Sequence, residues 1–292
     1  MPEGVIIKAL SGFYYVRTGS ETVECRARGR FRLDGTSPLV GDRVVVSLDA
    51  QGKGRVDQVL ERKNYFVRPA VANIDVLIAV ASEVEPVTDP FLIDRVTSTA
   101  EHNGCEVVIC INKSDATDSH RLADIYAATP YRVIETSAVT GEGIEELSVC
   151  INGKVCAFSG NSGVGKSSIL NALEPGLALK TGAVSEKLGR GKHTTRHVEI
   201  FPVAGGYCAD TPGFASFDVE QMPPIPKDEL QYTFPEFEPY IGKCRFDDCA
   251  HRKEPECAVR EALDEGKIAR SRYESYCRLY EISAQYKEWE QK

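Results

Sequence analysis

The chain has 292 residues, with 35 Lys and Arg against 43 Asp and Glu, giving a formal charge of −8. Apolar residues at 42% and charged ones at 27% are globular proportions and exclude a disordered or fibrous chain. No apolar run nears the ~18 residues of a membrane span, so a cytoplasmic protein without membrane contact is expected. Ten Cys are many for a reducing compartment, where metal binding rather than disulfide formation explains a cluster.

Charge is uneven along the chain. Residues 1–66 carry a net +3 and the remainder −11, so the overall acidity says little about local partners. The first stretch holds short β-rich runs, Val5-Ile6-Ile7, Phe13-Tyr14-Tyr15-Val16, Thr22-Val23 and Val44-Val45-Val46, broken at Ser11-Gly12, Asp34-Gly35 and Gly41-Asp42. Strands at this spacing predict a small β-barrel. Within it, Arg26, Arg28, Arg30 and Arg32 alternate with other residues. On an extended strand they share one face at about 6.6 Å spacing, which suits an RNA backbone. A basic edge strand protected from aggregation explains the same pattern equally well.

From Ile74 the pattern changes to that of a parallel α/β sheet. Residues 74–81 and 107–111 are near-continuous apolar runs, as strands buried on both faces require. The helix between them is capped by Thr88 or Asp89, with Pro90 in its first turn. A helix near 121–128, strands at 132–134 and 154–159, and a helix at 168–173 continue the alternation. A hairpin over 198–209 turns at Gly205-Gly206, and Pro223-Pro224-Ile225-Pro226 breaks the pattern before a Cys-bearing segment and a helical tail. Tyr273, Tyr276 and Tyr280 share one face of that tail and are expected in a core. Cys105, Cys110, Cys150, Cys156 and Cys208 sit in apolar runs and are read as small core residues, whereas Cys25 and Cys277 are unassigned.

Gly160-Asn161-Ser162-Gly163-Val164-Gly165-Lys166-Ser167 matches G-x4-G-K-S between a strand and a helix, followed by Ser168. Its glycines let backbone N–H groups wrap phosphates at a helix N-terminus; Lys166 reaches the β/γ-phosphates and Ser167 ligates Mg²⁺. Asn112-Lys113-Ser114-Asp115 ends the strand at 107–111. A carboxylate there accepts from guanine N1–H and its N2 amine, while adenine would leave it desolvated and unpaired. Ser137-Ala138 after the next strand completes a set that selects GTP over ATP. Asp210-Thr211-Pro212-Gly213 fits D-x-x-G, with Asp210 at Mg²⁺ and the Gly213 N–H at the γ-phosphate. Between the two motifs lies Gly189-Arg190-Gly191-Lys192-His193-Thr194-Thr195-Arg196. One of its Thr hydroxyls reaches Mg²⁺, and Thr195 is favoured over Thr194.

The motif order is unusual, because the guanine-reading loops precede the phosphate loop. The same sheet can be built with the chain cut elsewhere. Phe214 stands where many GTPases place a water-positioning Gln, so intrinsic turnover is expected to be slow. His193 is the candidate for placing the water, and a solvated loop His is the competing reading. Downstream, Cys244-x4-Cys249-x-His251-x5-Cys257 gathers four soft ligands in the pattern of a closed structural zinc site.

These residues, with Arg68-Pro69-Ala70-Val71-Ala72-Asn73-Ile74-Asp75, resemble the RsgA (YjeQ/YloQ) family of circularly permuted GTPases over essentially the whole chain. The resemblance implies an N-terminal OB-fold over 1–66, a central α/β permuted P-loop GTPase domain over 67–221 and a mainly helical zinc domain over 222–292. It also implies GTP/GDP with Mg²⁺, one structural Zn²⁺, and hydrolysis stimulated by the small ribosomal subunit during its late maturation. The OB-fold and zinc domain would contact ribosomal RNA, and the chain would act as a monomer. A GTP-gated RNA adaptor with negligible hydrolysis, or a permuted GTPase of large-subunit assembly, are the alternatives.

Overall fold

Five short strands open the chain: β1 (Glu3–Leu10), β2 (Phe13–Thr18), β3 (Glu21–Ala27), β4 (Arg43–Leu48) and β5 (Gly54–Val59). The computed structural model describes residues 2–19, 21–27, 31, 37–49, 53–67, 69–179, 198–210 and 222–286. Alternation along these strands puts Ile6, Val16, Val44, Val46 and Val56 fully inside. Pairing runs β1-β2-β3-β5-β4 and closes through β1–β4, with β3 parallel to β5. That closed five-stranded barrel is the OB-fold expected from the sequence. Cys25, unassigned by the sequence, points into its core. β3 is no edge strand, because β2 pairs along it and β5 pairs with residues 25–27.

A hairpin of β6 (Tyr65–Val67) and β7 (Ala70–Ala72) leads to the second layer system. Its sheet comprises β8 (Val76–Ser82), β9 (Glu106–Asn112), β10 (Arg132–Thr136), β11 (Val155–Ser159), β12 (Glu199–Val203) and β13 (Gly206–Asp210). The order is β10-β9-β8-β11-β13-β12, parallel except for β12. β8 is buried at every position, as its unbroken apolar run requires. α1 (Pro90–His102) follows β8; Asp89 caps it by accepting from Phe91 N at 3.0 Å, with Pro90 in the first turn. Thr88, the other candidate cap, instead accepts from Ser82 N at 3.0 Å. α2 (Arg121–Tyr126), α3 (Ile144–Ile151) and α4 (Lys166–Leu173) complete the layer. α3 has no start signal in the sequence, because its eight residues directly follow the turn-forming Gly141-Glu142-Gly143. Cys105, Cys110, Cys150, Cys156 and Cys208 are all buried here.

One antiparallel pair, Lys8 with Glu199, joins barrel strand β1 to β12, and the two side chains form an ion pair at 3.0 Å. The C-terminal unit contains 3₁₀ turns at Leu230–Thr233 and Pro235–Phe237, then α5 (Ala258–Asp264) and α6 (Arg270–Gln285). Phe234, Phe237 and Tyr276 pack as its aromatic core, with ring centroids 5.0–5.4 Å apart. Arg272 on α6 is fully buried against α1. Its Nη1 donates to Asp94 Oδ1 at 2.8 Å and Thr97 Oγ1 at 3.1 Å, and its Nε and Nη2 fork onto Glu236 at 2.7 and 2.9 Å. Burial opposes this charge, yet Asp94 and Glu236 hold the guanidinium well above its ordinary pKa. Among the described residues, no helix is long and apolar enough to cross a membrane.

Candidate functional site: a nucleotide cleft and a thiol-rich cluster

Register decides where the loops expected to read guanine lie. Ser82, Asn112 and Thr136 pair side by side at the C-terminal ends of β8, β9 and β10. Ligands of open parallel sheets bind at that edge. Asn112 is buried, and its side chain ties three loops together. Its Nδ2 donates to Val164 O of the phosphate loop at 2.9 Å, while its Oδ1 accepts from Ala138 N at 3.3 Å and Thr136 Oγ1 at 3.4 Å. Three motifs read separately in the sequence are thus joined by one amide.

The remaining members of these loops are placed as follows. Lys113 has a left-handed backbone, φ 71°, and its Nζ donates to Glu85 O at 2.6 Å. Ser114 Oγ donates to Glu142 Oε2 at 3.0 Å, and Asp115 is exposed on the following 3₁₀ turn. Ser137 is buried; its Oγ accepts from Val139 N at 3.2 Å and Thr140 N at 3.1 Å, which shapes the loop presenting Ala138. The loop after β8 was not singled out by the sequence. It brings Glu85 to Lys113 and Pro86 to within 3.3 Å of where a Cβ on Gly163 would sit.

Gly160 through Gly165 join β11 to α4 through Asn161, Ser162, Gly163 and Val164. At Gly165, φ is +100° and a Cβ would lie 2.2 Å from Asn112 Nδ2, so only glycine permits the Asn112 bridge. At Gly160, φ is +148° and a Cβ would lie 2.2 Å from Val80 O. Lys166 Nζ donates to Gly160 O at 2.6 Å and Asn161 O at 2.7 Å, which holds the ammonium over the loop. Ser167 and Ser168 are half-buried in the first turn of α4, where N–H groups and helix dipole favour an anion.

β13 lies parallel beside β11, with Cys156 opposite Cys208, and ends at Asp210. The backbone of Asp210 therefore reaches the same sheet edge as the phosphate loop. The Asp210 side chain, and His193, Thr195, Gly213 and Phe214, lie outside the described residues. So do Arg28, Arg30 and Arg32. Arg26 is exposed on β3, with its guanidinium 4.6 Å from the Phe13 ring centroid.

In the C-terminal unit, Cys244, Cys249, His251 and Cys257 each offer a ligand atom within 4.8 Å of the others. Cys244 Sγ lies 3.9 Å from Cys257 Sγ, and His251 Nδ1 lies 3.5 and 3.4 Å from those two sulfurs. A tetrahedron with Zn–S bonds near 2.3 Å and Zn–N near 2.0 Å has edges of about 3.8 and 3.5 Å, so the donor set fits zinc. Burial lowers the His251 pKa, keeping the imidazole neutral as a ligand must be. Burial pushes the Cys249 thiol up to about 12, and a cation at this point supplies the charge that three clustered thiolates need. Tyr273 and Tyr276 close the cluster from α6, their hydroxyls donating to His251 O and Ala250 O, each at 2.8 Å. Of the tyrosine face, Tyr276 is buried in the core, and Tyr273 and Tyr280 pack half-buried against it.

Known proteins of the same build exist. The RsgA GTPase family model matches residues 59–220, and the RsgA N-terminal domain model matches residues 3–56. A protein of Caldanaerobacter subterraneus subsp. tengcongensis, named small ribosomal subunit biogenesis GTPase RsgA, is 47% identical over 281 residues, covering 95% of this chain and 94% of that protein. A Geobacillus thermodenitrificans protein of the same name is 49% identical, covering 94% of this chain and 95% of its own length. Among solved structures, YjeQ from Thermotoga maritima matches with a TM-score of 0.83 at 38% identity, over 98% of this chain and 99% of that one. YloQ, a circularly permuted GTPase, matches at 0.79 and 36% identity over 98% of this chain and 96% of its own. The chain belongs to the RsgA GTPase family and is a GTP hydrolase.

Proposed function

We propose that this chain hydrolyses GTP to GDP and phosphate in the late maturation of the small ribosomal subunit, and that the subunit stimulates the hydrolysis. The observation that carries the proposal is the Asn112 bridge, which fastens a guanine-reading loop to a phosphate loop at one sheet edge. The shared name of the curated relatives supports the choice of subunit. Asn112, Lys113, Ser114 and Asp115, with Ser137 and Ala138, hold the base. Gly160, Asn161, Ser162, Gly163, Val164, Gly165, Lys166, Ser167 and Ser168 hold the phosphates.

Asp115 accepts from the base, and Lys166 exchanges its two loop carbonyls for β- and γ-phosphate oxygens, drawing charge off the scissile bond. Ser167, Thr195 and Asp210 would hold Mg²⁺, which would supply charge to neutralise the phosphates. His193 orients the attacking water, and the Gly213 N–H contacts the γ-phosphate. Cys244, Cys249, His251 and Cys257 hold one structural Zn²⁺. The basic barrel, through Arg26, Arg28, Arg30 and Arg32, and the zinc unit contact ribosomal RNA. We place the domain boundaries at 1–66, 67–221 and 222–292, and read the protein as a cytoplasmic monomer.

The test is nucleotide turnover titrated with purified small or large ribosomal subunits. Stimulation of GTP but not ATP turnover, by small subunits alone, is expected. Equal rates with and without small subunits would refute the proposal. His193→Ala should abolish stimulation while GTP affinity holds.

A further inference from the structure

His251 meets the thiol cluster through Nδ1, and its other nitrogen points away from it. Nε2 lies 2.9 Å from Gln231 Oε1, on the 3₁₀ turn Leu230–Thr233. An imidazole that gives Nδ1 to a metal carries its proton on Nε2, and that proton needs an acceptor. The amide is oriented for this: Gln231 Nε2 faces Asp228 O at 3.5 Å, which leaves Oε1 toward His251. The turn is itself anchored, because Leu230 and Thr233 are buried and Thr233 Oγ1 shares a 2.6 Å hydrogen bond with Ser98 Oγ on α1. On another side the Phe237 ring meets the imidazole edge-on, with centroids 6.2 Å apart at 81°.

We infer that Gln231 is the positioning residue of the metal centre: it fixes His251 in the Nε2–H tautomer and so presents Nδ1 to zinc. The sequence offers no sign of this role, since Gln231 lies outside the Cys/His spacing and 20 residues before His251. The 3₁₀ turn that carries Gln231 is in turn tied to α1 by the Thr233–Ser98 hydrogen bond.

The inference rests on the Cys and His set holding zinc, and metal stoichiometry of the unaltered protein tests that reading separately. Zinc affinity is measured by competition with a chromophoric chelator for the full chain, Gln231→Leu and Gln231→Glu. Gln231→Leu, which keeps the volume but removes the acceptor, is expected to bind zinc about 10–100-fold more weakly. Gln231→Glu restores an acceptor and is expected to return affinity to within a few-fold. Equal affinity of the Leu variant and the unaltered chain would overturn the inference while leaving the zinc reading intact. Should the Leu variant not fold, the His251 Nε2–H proton of the zinc-loaded unaltered protein decides the matter. A proton shifted downfield and slow to exchange with solvent, as one bonded to Gln231 Oε1 must be, supports the inference, and one exchanging as fast as a solvent-facing imidazole N–H overturns it.

Discussion

Replacing Arg272 by Met removes a cation that two buried carboxylates share. Asp94 and Glu236 are 0% and 5% exposed at their side chains, and Arg272 is 1% exposed. Asp94 Oδ2 has no hydrogen-bond partner among the described residues, so that carboxylate relies on Arg272 and the Tyr126 hydroxyl, 2.7 Å from Oδ1. Removing one partner of a buried ion pair leaves uncompensated charge and costs about 3–5 kcal/mol. The Phe234 ring, 4.6 Å from the guanidinium carbon, adds a cation–π contact that Met cannot replace. Because the network joins α6 to α1, the loss should fall on the seating of the C-terminal unit rather than on the barrel. Equilibrium urea unfolding gives the magnitude, and hydrogen exchange locates it in α1 and α6. Adding Asp94→Asn and Glu236→Gln to Arg272→Met should recover at least half the loss, since neutral amides need no counter-charge. A loss below ~1 kcal/mol for the single variant, or protection lost first in the barrel, would refute this reasoning.

Other outcomes follow from single atoms. Asn112→Ala removes the tie between three loops and should raise the Kd for GDP by more than tenfold, with a stability loss of about 1–3 kcal/mol, read by calorimetry and thermal melts. Gly165→Ala places a methyl 2.2 Å from Asn112 Nδ2 at a left-handed backbone position, so nucleotide binding should fall at least as far as in Asn112→Ala; near-normal fluorescent-GDP titration would contradict this. Zinc chelation, or Cys257→Ser, should expose the aromatic core of Phe234, Phe237 and Tyr276 to limited proteolysis while residues 3–59 stay protected.

Local signals made the candidate site legible. G-x4-G-K-S carries its chemistry in eight consecutive residues, and the Cys and His spacing spans fourteen, so neither needs tertiary information. Burial of the β8 run was equally plain from its unbroken apolar sequence. What the sequence hid is held by long-range partners. Arg272 sits in a charge-balanced helical tail, and its partner Asp94 lies 178 residues away. Gln231 is an unremarked polar residue until a ring nitrogen 20 residues on faces it. The loop holding Glu85 and Pro86 has no motif, and only the fold lays it across Lys113 and Gly163. The edge-strand explanation of the arginine stripe does not hold at Arg26, where β5 supplies a second neighbour from beyond β4, and Arg28, Arg30 and Arg32 lie outside the described residues.

The strand order also sets a timetable for synthesis. The barrel closes with strands from residues 3–59 alone and so can form as soon as that stretch leaves the ribosome. β8, β9 and β10 follow, and their paired ends, which carry the loops proposed to hold the base, form first. β11 then docks beside β8, whose partner residues lie 80 positions earlier, and β13 can add only after β11. A nascent chain thus has the loops proposed to hold the base before it has the G-x4-G-K-S loop, the reverse of the order in an unpermuted GTPase. On the proposed function, the phosphates are held only after β11 and α4 have been made, more than half-way through translation.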